Sequence, residues 1–280
     1  MPALKLFNTI LSKSRHLTLS CVSAFFLCIA LLISNTAQGN QNNSPSQYVS
    51  EQVWKEVSDF IIPNDHPIKY LLDKIFSASR AFYDFQTMEA AGFTPAIPQH
   101  HTGIIVTRHP ELKGYVIKAY LDTQDYHSGK PEYYFWKKRA IGAQLICKFI
   151  EDHHYGKLLK VPKKWLYLIP DEPAPLPGLP KMFILVEEDM DIYDSETNKI
   201  LWGSQIITKK LLKSFYNVIT DLGLFDCAKL DNCPISRDGR VAFVDTQCYH
   251  FKRVKYHKLT PYLSASMQKY WKKLIKEGEK

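Results

Sequence analysis

The sequence lacks the short motifs that identify zinc modules and repeat proteins. Its six cysteines include no Cys-x-x-Cys pair, and its ten histidines show no spacing typical of a zinc site. No internal repeat is present, which excludes a solenoid or propeller array. The only low-complexity stretch is a short segment rich in Asn, Gln and Ser near residue 40.

What is present is the composition of an ordinary globular protein. The chain has 280 residues, of which 45% are hydrophobic and 23% charged, enough for one large domain or two small lobes. The formal net charge is +8, which can favour anionic partners such as phosphates or lipids. Because acidic residues lie between the basic ones along the chain, the bias indicates a solvated surface, and no nucleic-acid partner is expected.

The first 39 residues have the pattern of an export signal. A basic start is followed by an apolar run over residues 17–34 and then by small residues at 37–39. The pattern predicts a cleaved signal peptide; the alternative is a retained membrane anchor over residues 17–34. Either way the protein is expected to be secreted or periplasmic/lumenal. Residues 40–50 are predicted to form a disordered linker.

Four cysteines lie beyond the apolar run: Cys147, Cys227, Cys233 and Cys248. An even number of cysteines in an exported chain permits disulfides, including a local Cys227–Cys233 bridge. Buried thiols are the alternative.

The remaining chain alternates between patterns typical of helices and strands. We predict an α+β fold with an N-terminal helical extension over 51–99, a strand-rich region over 100–190 and a mainly helical region over 191–280. Helices are predicted over 52–90 (divided by Pro63 and Pro67), 131–151, 208–222 and 260–276. Strands are predicted over 102–106, 114–121, 164–169 and 181–186.

A short β-hairpin is predicted around the turn at 237–239. Its Asp-Gly step lies between two apolar runs, a strong hairpin signal. The hairpin would bring Asn232 and Asp245 to the same end of the ribbon. Two converging oxygen ligands could hold a hard divalent ion, and that ion could hold a polyphosphate.

The order of these elements resembles the protein-kinase-like superfamily. The chain has a lysine-bearing strand with Val116-Ile117-Lys118, a helix, two strands, an acidic linker, a helix, and then the hairpin with Asn232 and Asp245. The resemblance implies a two-lobed fold with an antiparallel sheet in the first lobe and a reduced helical second lobe.

The resemblance also implies an activity and a set of site residues. The expected activity is phosphate transfer from ATP to a protein or small-molecule acceptor, with Mg²⁺ as cofactor. Lys118 would bind the nucleotide phosphates, Asn232 and Asp245 the metal, and Asp226 would orient the acceptor hydroxyl. Residues 187–191 would form the hinge between the lobes.

Several departures from the family pattern favour an alternative. Asp226 lies six residues before Asn232, where the family has five, and the family's Asp-Phe-Gly is replaced by Asp245-Thr246-Gln247. No glycine-rich motif precedes Lys118, and only 35 residues follow Asp245. The alternative is a catalytically inactive pseudokinase, a binding protein of the cell envelope or of the secreted effector type.

Some residues also have a structural interpretation. Lys118 could protect an edge strand from aggregation, and Asn232 could serve only turn chemistry. The resemblance implies that Lys118 pairs with a carboxylate on the following helix, where Glu132 comes early and Glu151 late. The basic C-terminal helix could pack on the domain or contact an anionic membrane surface.

Overall fold

The computed structural model describes residues 46–97, 103–125, 127–175, 177 and 180–278. The chain after Ser44 forms one compact unit. The predicted leader over 1–39 and most of the predicted linker over 40–50 lie outside the described residues. Among the helices described, none is long and apolar enough to cross a membrane.

Three short helices open the described chain, which confirms in part the helical pattern predicted over 52–90. The division at Pro63 and Pro67 is present, but a second break at 79–84 and the strand Thr94–Ile97 within the predicted helical extension 51–99 were not predicted. The helices are α1 Glu51–Val57, α2 Lys69–Ala78 and α3 Phe85–Ala90. The Ser50 side chain caps α1 by accepting a hydrogen bond from the Val53 amide. Asp84 and Thr87 form a reciprocal capping box that begins α3.

Within the part of the chain that the structure describes, seven strands form two sheets. Their bounds are β1 Thr94–Ile97, β2 Ile105–Arg108, β3 Tyr115–Ala119, β4 Leu159–Lys160, β5 Lys164–Leu168, β6 Phe183–Glu188 and β7 Val241–Ala242. The larger sheet is antiparallel throughout, with the order β1-β2-β3-β6-β5. The small sheet pairs β4 with β7 in parallel. The mixed α+β class is therefore confirmed, and β3 is the central strand of its sheet.

A long helix, α4 Glu132–Asp152, follows β3 and covers one face of the larger sheet. Trp136 and Ala140 of α4 pack with Leu166 and Leu185 in one buried cluster. The opposite face carries alternate residues such as Ile117, which pack against the N-terminal helices. Because side chains alternate along a strand, each face receives its own apolar set.

The chain after the sheet is mainly helical. It contains α5 Ser195–Trp202, α6 Lys209–Asp221 and α7 Ala265–Gly278. Thr208 caps α6, as predicted, by accepting a hydrogen bond from the Leu211 amide. The core of this part includes Trp202, Phe215 and Trp271, all fully buried.

The predicted hairpin is present as a narrow ribbon around the turn at 237–239. The Ser236 amide donates to the Arg240 carbonyl at 2.9 Å, and the Val244 amide donates to the Asn232 carbonyl at 3.0 Å. The two ends of the ribbon therefore lie side by side, as the sequence predicted. Gly239 has φ +83°, a conformation that favours glycine in such a turn.

Candidate functional site

Three charged side chains form a buried cluster on the larger sheet. The Lys118 Nζ lies 2.8 Å from Glu187 Oε1, and the Lys164 Nζ lies 2.7 Å from Glu187 Oε2. Their exposed fractions are 6% for Lys118, 7% for Lys164 and 4% for Glu187. One carboxylate thus bridges two ammonium groups out of contact with bulk water.

Strand register explains how these side chains meet. Glu187 of β6 lies opposite Lys164 of β5 on one side and Val116 of β3 on the other. Lys118 is two residues beyond Val116, so it emerges on the same face. This is the face that α4 covers.

Two interpretations of Lys118 need correction. Lys118 does not protect a sheet edge, because β3 lies between β2 and β6. Its carboxylate partner is not on the helix that follows: Glu132 accepts a hydrogen bond from the Phe183 amide, and Glu151 lies near Cys147. Glu187, which the sequence places in the acidic linker, belongs to β6 and supplies the partner instead.

The first two residues of the hinge expected over 187–191 belong to the sheet instead. Glu187 and Glu188 continue β6. Beyond the strand, Asp189 accepts a hydrogen bond from Arg108 Nε at 2.7 Å, and Asp191 has a left-handed backbone with φ +47°. The chain turns only after Glu188, because its backbone until there pairs with β3 and β5.

The buried lysines also contact the segment after β7. Lys118 and Lys164 donate to the Val244 carbonyl at 3.1 Å and 2.8 Å. Since the Val244 amide bonds to the Asn232 carbonyl, this one residue joins Lys118 to the end of the hairpin. The structure thus brings Lys118, Asn232 and Asp245 to one junction.

Asp245 lies beside the cluster and is held by a cation from α4. Its Oδ1 lies 2.9 Å from Arg139 Nη1, and its side chain is 27% exposed. Burial alone would raise the pKa of Asp245, but Arg139, Lys118 and Lys164 together hold this pKa below its ordinary value. Asp245 is therefore an ionised carboxylate, partly open to solvent, in a cationic setting.

A glycine allows α4 to approach this segment closely. A Cβ on Gly142 would overlap the carbonyl oxygen of Thr246. The Thr246 hydroxyl in turn donates to the Arg139 carbonyl at 2.6 Å. These contacts fix the position of α4, and hence of the Arg139 side chain, against Asp245.

Asp226 and Asn232 are connected through the backbone. The Asn232 side-chain nitrogen donates to the Asp226 carbonyl at 2.9 Å, which leaves its amide oxygen as an acceptor. The Cys227 thiol contacts the Asp245 carbonyl at 3.4 Å. The turn that carries Asp226 therefore lies next to both of the expected metal ligands.

The Asp226 carboxylate faces two cations. Lys229 Nζ lies 2.7 Å from Oδ2, and Lys255 Nζ lies 3.2 Å from Oδ1. Burial would raise the pKa of Asp226, but these two lysines hold this pKa below its ordinary value. Asp226 is thus ionised at neutral pH.

The junction has one more cation than anion. Lys118, Lys164 and Arg139 face Glu187 and Asp245. Burial lowers the pKa of Lys164 to about 8, against the attraction of Glu187. Burial would raise the pKa of Glu187, but Lys118 and Lys164 hold this pKa below its ordinary value. An excess positive charge at a partly open site favours an anionic ligand.

The two side chains expected to bind a metal carry oxygen atoms, which suit a hard ion better than a transition metal. Within the described residues, no group of three or more His, Cys, Asp or Glu side chains could hold a metal. Asn232 and Asp245 offer an amide and a carboxylate oxygen. Mg²⁺ commonly uses one or two such protein ligands and takes the rest from water and phosphate.

Sequence reasoning missed three members of the junction: Arg139, Lys164 and Glu187. Lys164 and Glu187 each border an apolar run, whereas Arg139 follows two other basic residues and carries no such signal. Glu187 directly follows the apolar run 182–186, and Lys164 directly precedes 165–169. A charge at the end of a buried strand was the available signal, but its partner could not be found without the register.

The four described cysteines are all unpaired thiols in this structure. Cys227 and Cys233 are buried, and Cys147 and Cys248 are half-buried. Burial raises the pKa of the Cys248 thiol to about 11, with Asp245 and Asp226 acting in the same direction. The buried-thiol alternative describes this arrangement, and the Cys227–Cys233 bridge is not formed.

Comparisons with known proteins add no family to this picture. No protein-family model matches the chain, and no curated protein matches it significantly.

Proposed function

We propose that the chain is a kinase-like phosphotransferase that uses ATP and Mg²⁺. The proposal rests on the shared junction of Lys118, Asn232 and Asp245. These residues are spread over 127 positions of the chain, yet they meet around Val244. A Lys118 pointing to the other face of its sheet would have removed any basis for a phosphate site.

The element order supports the same proposal. Strand β3 carries the lysine, α4 comes next, and β5 and β6 complete an antiparallel sheet with the order β1-β2-β3-β6-β5. A helical part then carries the hairpin. This is the succession that the resemblance to the protein-kinase-like superfamily requires.

Each residue has a distinct role in the proposal. The Asn232 amide oxygen and the Asp245 carboxylate would hold Mg²⁺, which neutralises phosphate charge when bound. Lys118 would donate to phosphate oxygens, and Asp226 would accept a hydrogen bond from the acceptor hydroxyl. Arg139 would neutralise Asp245 when no other cation is present. Positioning and charge neutralisation account for most of the catalysis in such transfers.

Replacing Asp245 tests the assignment. We expect Asp245→Asn to reduce transfer of labelled phosphate from ATP by at least about a hundredfold, comparable to the loss of one strong electrostatic group. The matched control is Asp221→Asn, which alters an exposed carboxylate at the end of α6. Equal transfer rates in the two variants would contradict the proposal.

A second candidate is a nucleotide-binding protein without turnover. It is favoured by the engagement of Asp226 with two lysines and of Asp245 with Arg139. In that case ATP with Mg²⁺ would raise the melting temperature, yet no labelled phosphate would leave the nucleotide. Turnover lost on Asp245→Asn would decide for the enzyme.

Export is proposed from residues 1–39 alone. A basic start followed by an apolar run and small residues favours delivery to a secreted, periplasmic or lumenal location. Sequencing the N-terminus of the mature protein tests this proposal. A start near residue 40 would support signal cleavage, and an intact Met1 would favour the anchor.

A further inference from the structure

We propose that Asp226 lies at a docking surface for an acidic polypeptide, so that the phosphate acceptor is a hydroxyl flanked by carboxylates. The surface, here called the basic mouth, consists of Lys229, Lys252, Arg253, Lys255 and Lys258. The inference rests on the proposed function only in treating Asp226 as the group next to the acceptor.

The chain after Asp245 is hydrogen-bonded to the segment that leads into the turn carrying Asp226. The Phe251 amide donates to the Gly223 carbonyl at 3.0 Å, and the Lys255 amide donates to the Phe225 carbonyl at 3.0 Å. Gly223 has φ +58°, and a Cβ there would press against the backbone of Phe251. The basic mouth is therefore held by backbone hydrogen bonds next to Asp226.

Its net charge is positive. Residues 221–231 and 248–258 carry five lysines and arginines but only three carboxylates. One of those carboxylates, Asp226, is already shared between Lys229 and Lys255. Lys252, Arg253 and Lys258 are exposed, and none of them has an ion-pair partner in the part of the chain that the structure describes.

The spread of these cations favours a peptide over a small anion. Lys229 and Lys255 flank the Asp226 carboxylate. Lys252 and Arg253 are exposed and lie between the two backbone hydrogen bonds made by Phe251 and Lys255. A compact sugar phosphate is too small to contact both the lysines at Asp226 and the cations of the exposed stretch. An extended chain with several acidic side chains could reach both groups, with the stacked rings of Phe225 and Phe251 as an apolar neighbour.

Fluorescence anisotropy on the full chain tests the surface without requiring turnover. The probes are labelled peptides with a central serine flanked by Asp and Glu, by Ala, or by Lys. We expect the acidic peptide to bind at least about fivefold more tightly than the neutral one at 50 mM salt, because several exposed ion pairs add small contributions. This preference should shrink at 300 mM salt, since screening shortens the range of charge attraction.

Charge reversal gives the deciding comparison. Lys252→Glu with Arg253→Glu should abolish the acidic preference, whereas Lys272→Glu with Lys273→Glu, on the exposed side of α7, should retain it. Equal binding of the acidic and neutral peptides by the parent protein would overturn the proposal, as would equal loss in both double variants.

The outcome is separable from that of the proposed function. If the acidic peptide binds preferentially but no labelled phosphate reaches its serine, the docking surface stands and the enzymatic assignment fails. If phosphate is transferred equally to acidic and neutral peptides and they bind equally, the enzymatic assignment stands and the basic mouth is only a solvated surface.

Discussion

At the scale of single residues, the candidate site depends on buried charges of opposite sign that compensate one another. Glu187 bridges Lys118 and Lys164 where little water can reach them. A buried ion pair is weak support for stability as a whole, but the removal of one partner is costly because a charge is left without compensation. The same logic makes the junction sensitive to single substitutions.

The first prediction concerns Glu187. Its replacement by Gln should lower the free energy of unfolding by about 3 kcal/mol, because two buried ammonium groups then lose the carboxylate that bridges them. Urea denaturation monitored by tryptophan fluorescence measures the change. The adjacent Glu188→Gln is the control, since Glu188 is less buried and should change stability by under about 1 kcal/mol. Similar losses in both variants would contradict the bridge.

A second prediction concerns pH and Glu132 at the start of α4. Burial raises the pKa of Glu132 to about 7, and its Oε2 is buried with no hydrogen-bond partner within the described residues. The folded state therefore binds this proton more tightly than the unfolded state does. The resulting stability is fully present below the ordinary pKa of 4.5 and is lost as pH rises through about 7.

Glu132→Gln should remove that dependence. At pH 8 the variant is expected to be more stable than the parent by about 1 kcal/mol or more, because the parent must bury an ionised carboxylate. At pH 5 the two should differ little. Thermal unfolding at both pH values measures this, and a variant that is less stable at pH 8 would show that the buried charge is well compensated.

At the scale of elements, the site forms where α4 packs against the segment after β7. Gly142 permits the close approach, and the hydrogen bond from Thr246 to the Arg139 carbonyl fixes it. The Arg139 side chain then reaches Asp245. The helix thus contributes to the site both a backbone carbonyl, which holds Thr246, and the Arg139 guanidinium, which pairs with Asp245.

The third prediction tests this contact. Gly142→Ala should lower the free energy of unfolding by about 1–3 kcal/mol, the usual cost of overpacking, despite the higher helix propensity of alanine. Under the proposed function it should also weaken nucleotide binding, because the segment that carries Val244 and Asp245 would shift away from Lys118. Gly156→Ala is the control, since a Cβ there meets no atom within 4 Å. Denaturation and ATP-dependent thermal shift together measure both effects.

At the scale of the whole molecule, the sheet and the helical part are joined by charge as well as by apolar contact. One hydrophobic cluster runs from Ile146 of α4 to Leu274 of α7, and two others fill the two faces of the sheet. Both Lys118 and Lys164, which belong to the sheet, bond to Val244 beyond β7. This linkage favours unfolding as one unit.

The fourth prediction follows from that linkage. A chain that begins at residue 46 should unfold in a single calorimetric transition, because the residues after Ser44 form one compact unit. Its calorimetric and van't Hoff enthalpies should agree. Two separate transitions would show that the sheet and the helical part unfold independently and that the junction contributes little.

Local chemistry in the sequence was enough to place many of the elements. The Asp-Gly turn predicted the ribbon that sets Asn232 beside Val244, and Thr208 predicted the start of α6. The apolar runs predicted β5 and β6, and Pro63 and Pro67 the division between α1 and α2. These features depend on short-range sterics and hydrogen bonds, which a few neighbouring residues determine.

The composition of the junction was decided by the tertiary structure. Lys118 could be recognised as unusual, but the identity of its partner depended on the order of strands, which placed β6 beside β3 and so Glu187 within reach. Arg139 reaches Asp245 across 106 positions of the chain only because Gly142 lets α4 approach. Ion pairs between remote residues carry no periodic signal in the sequence, since their geometry exists only after the sheet and helices have packed.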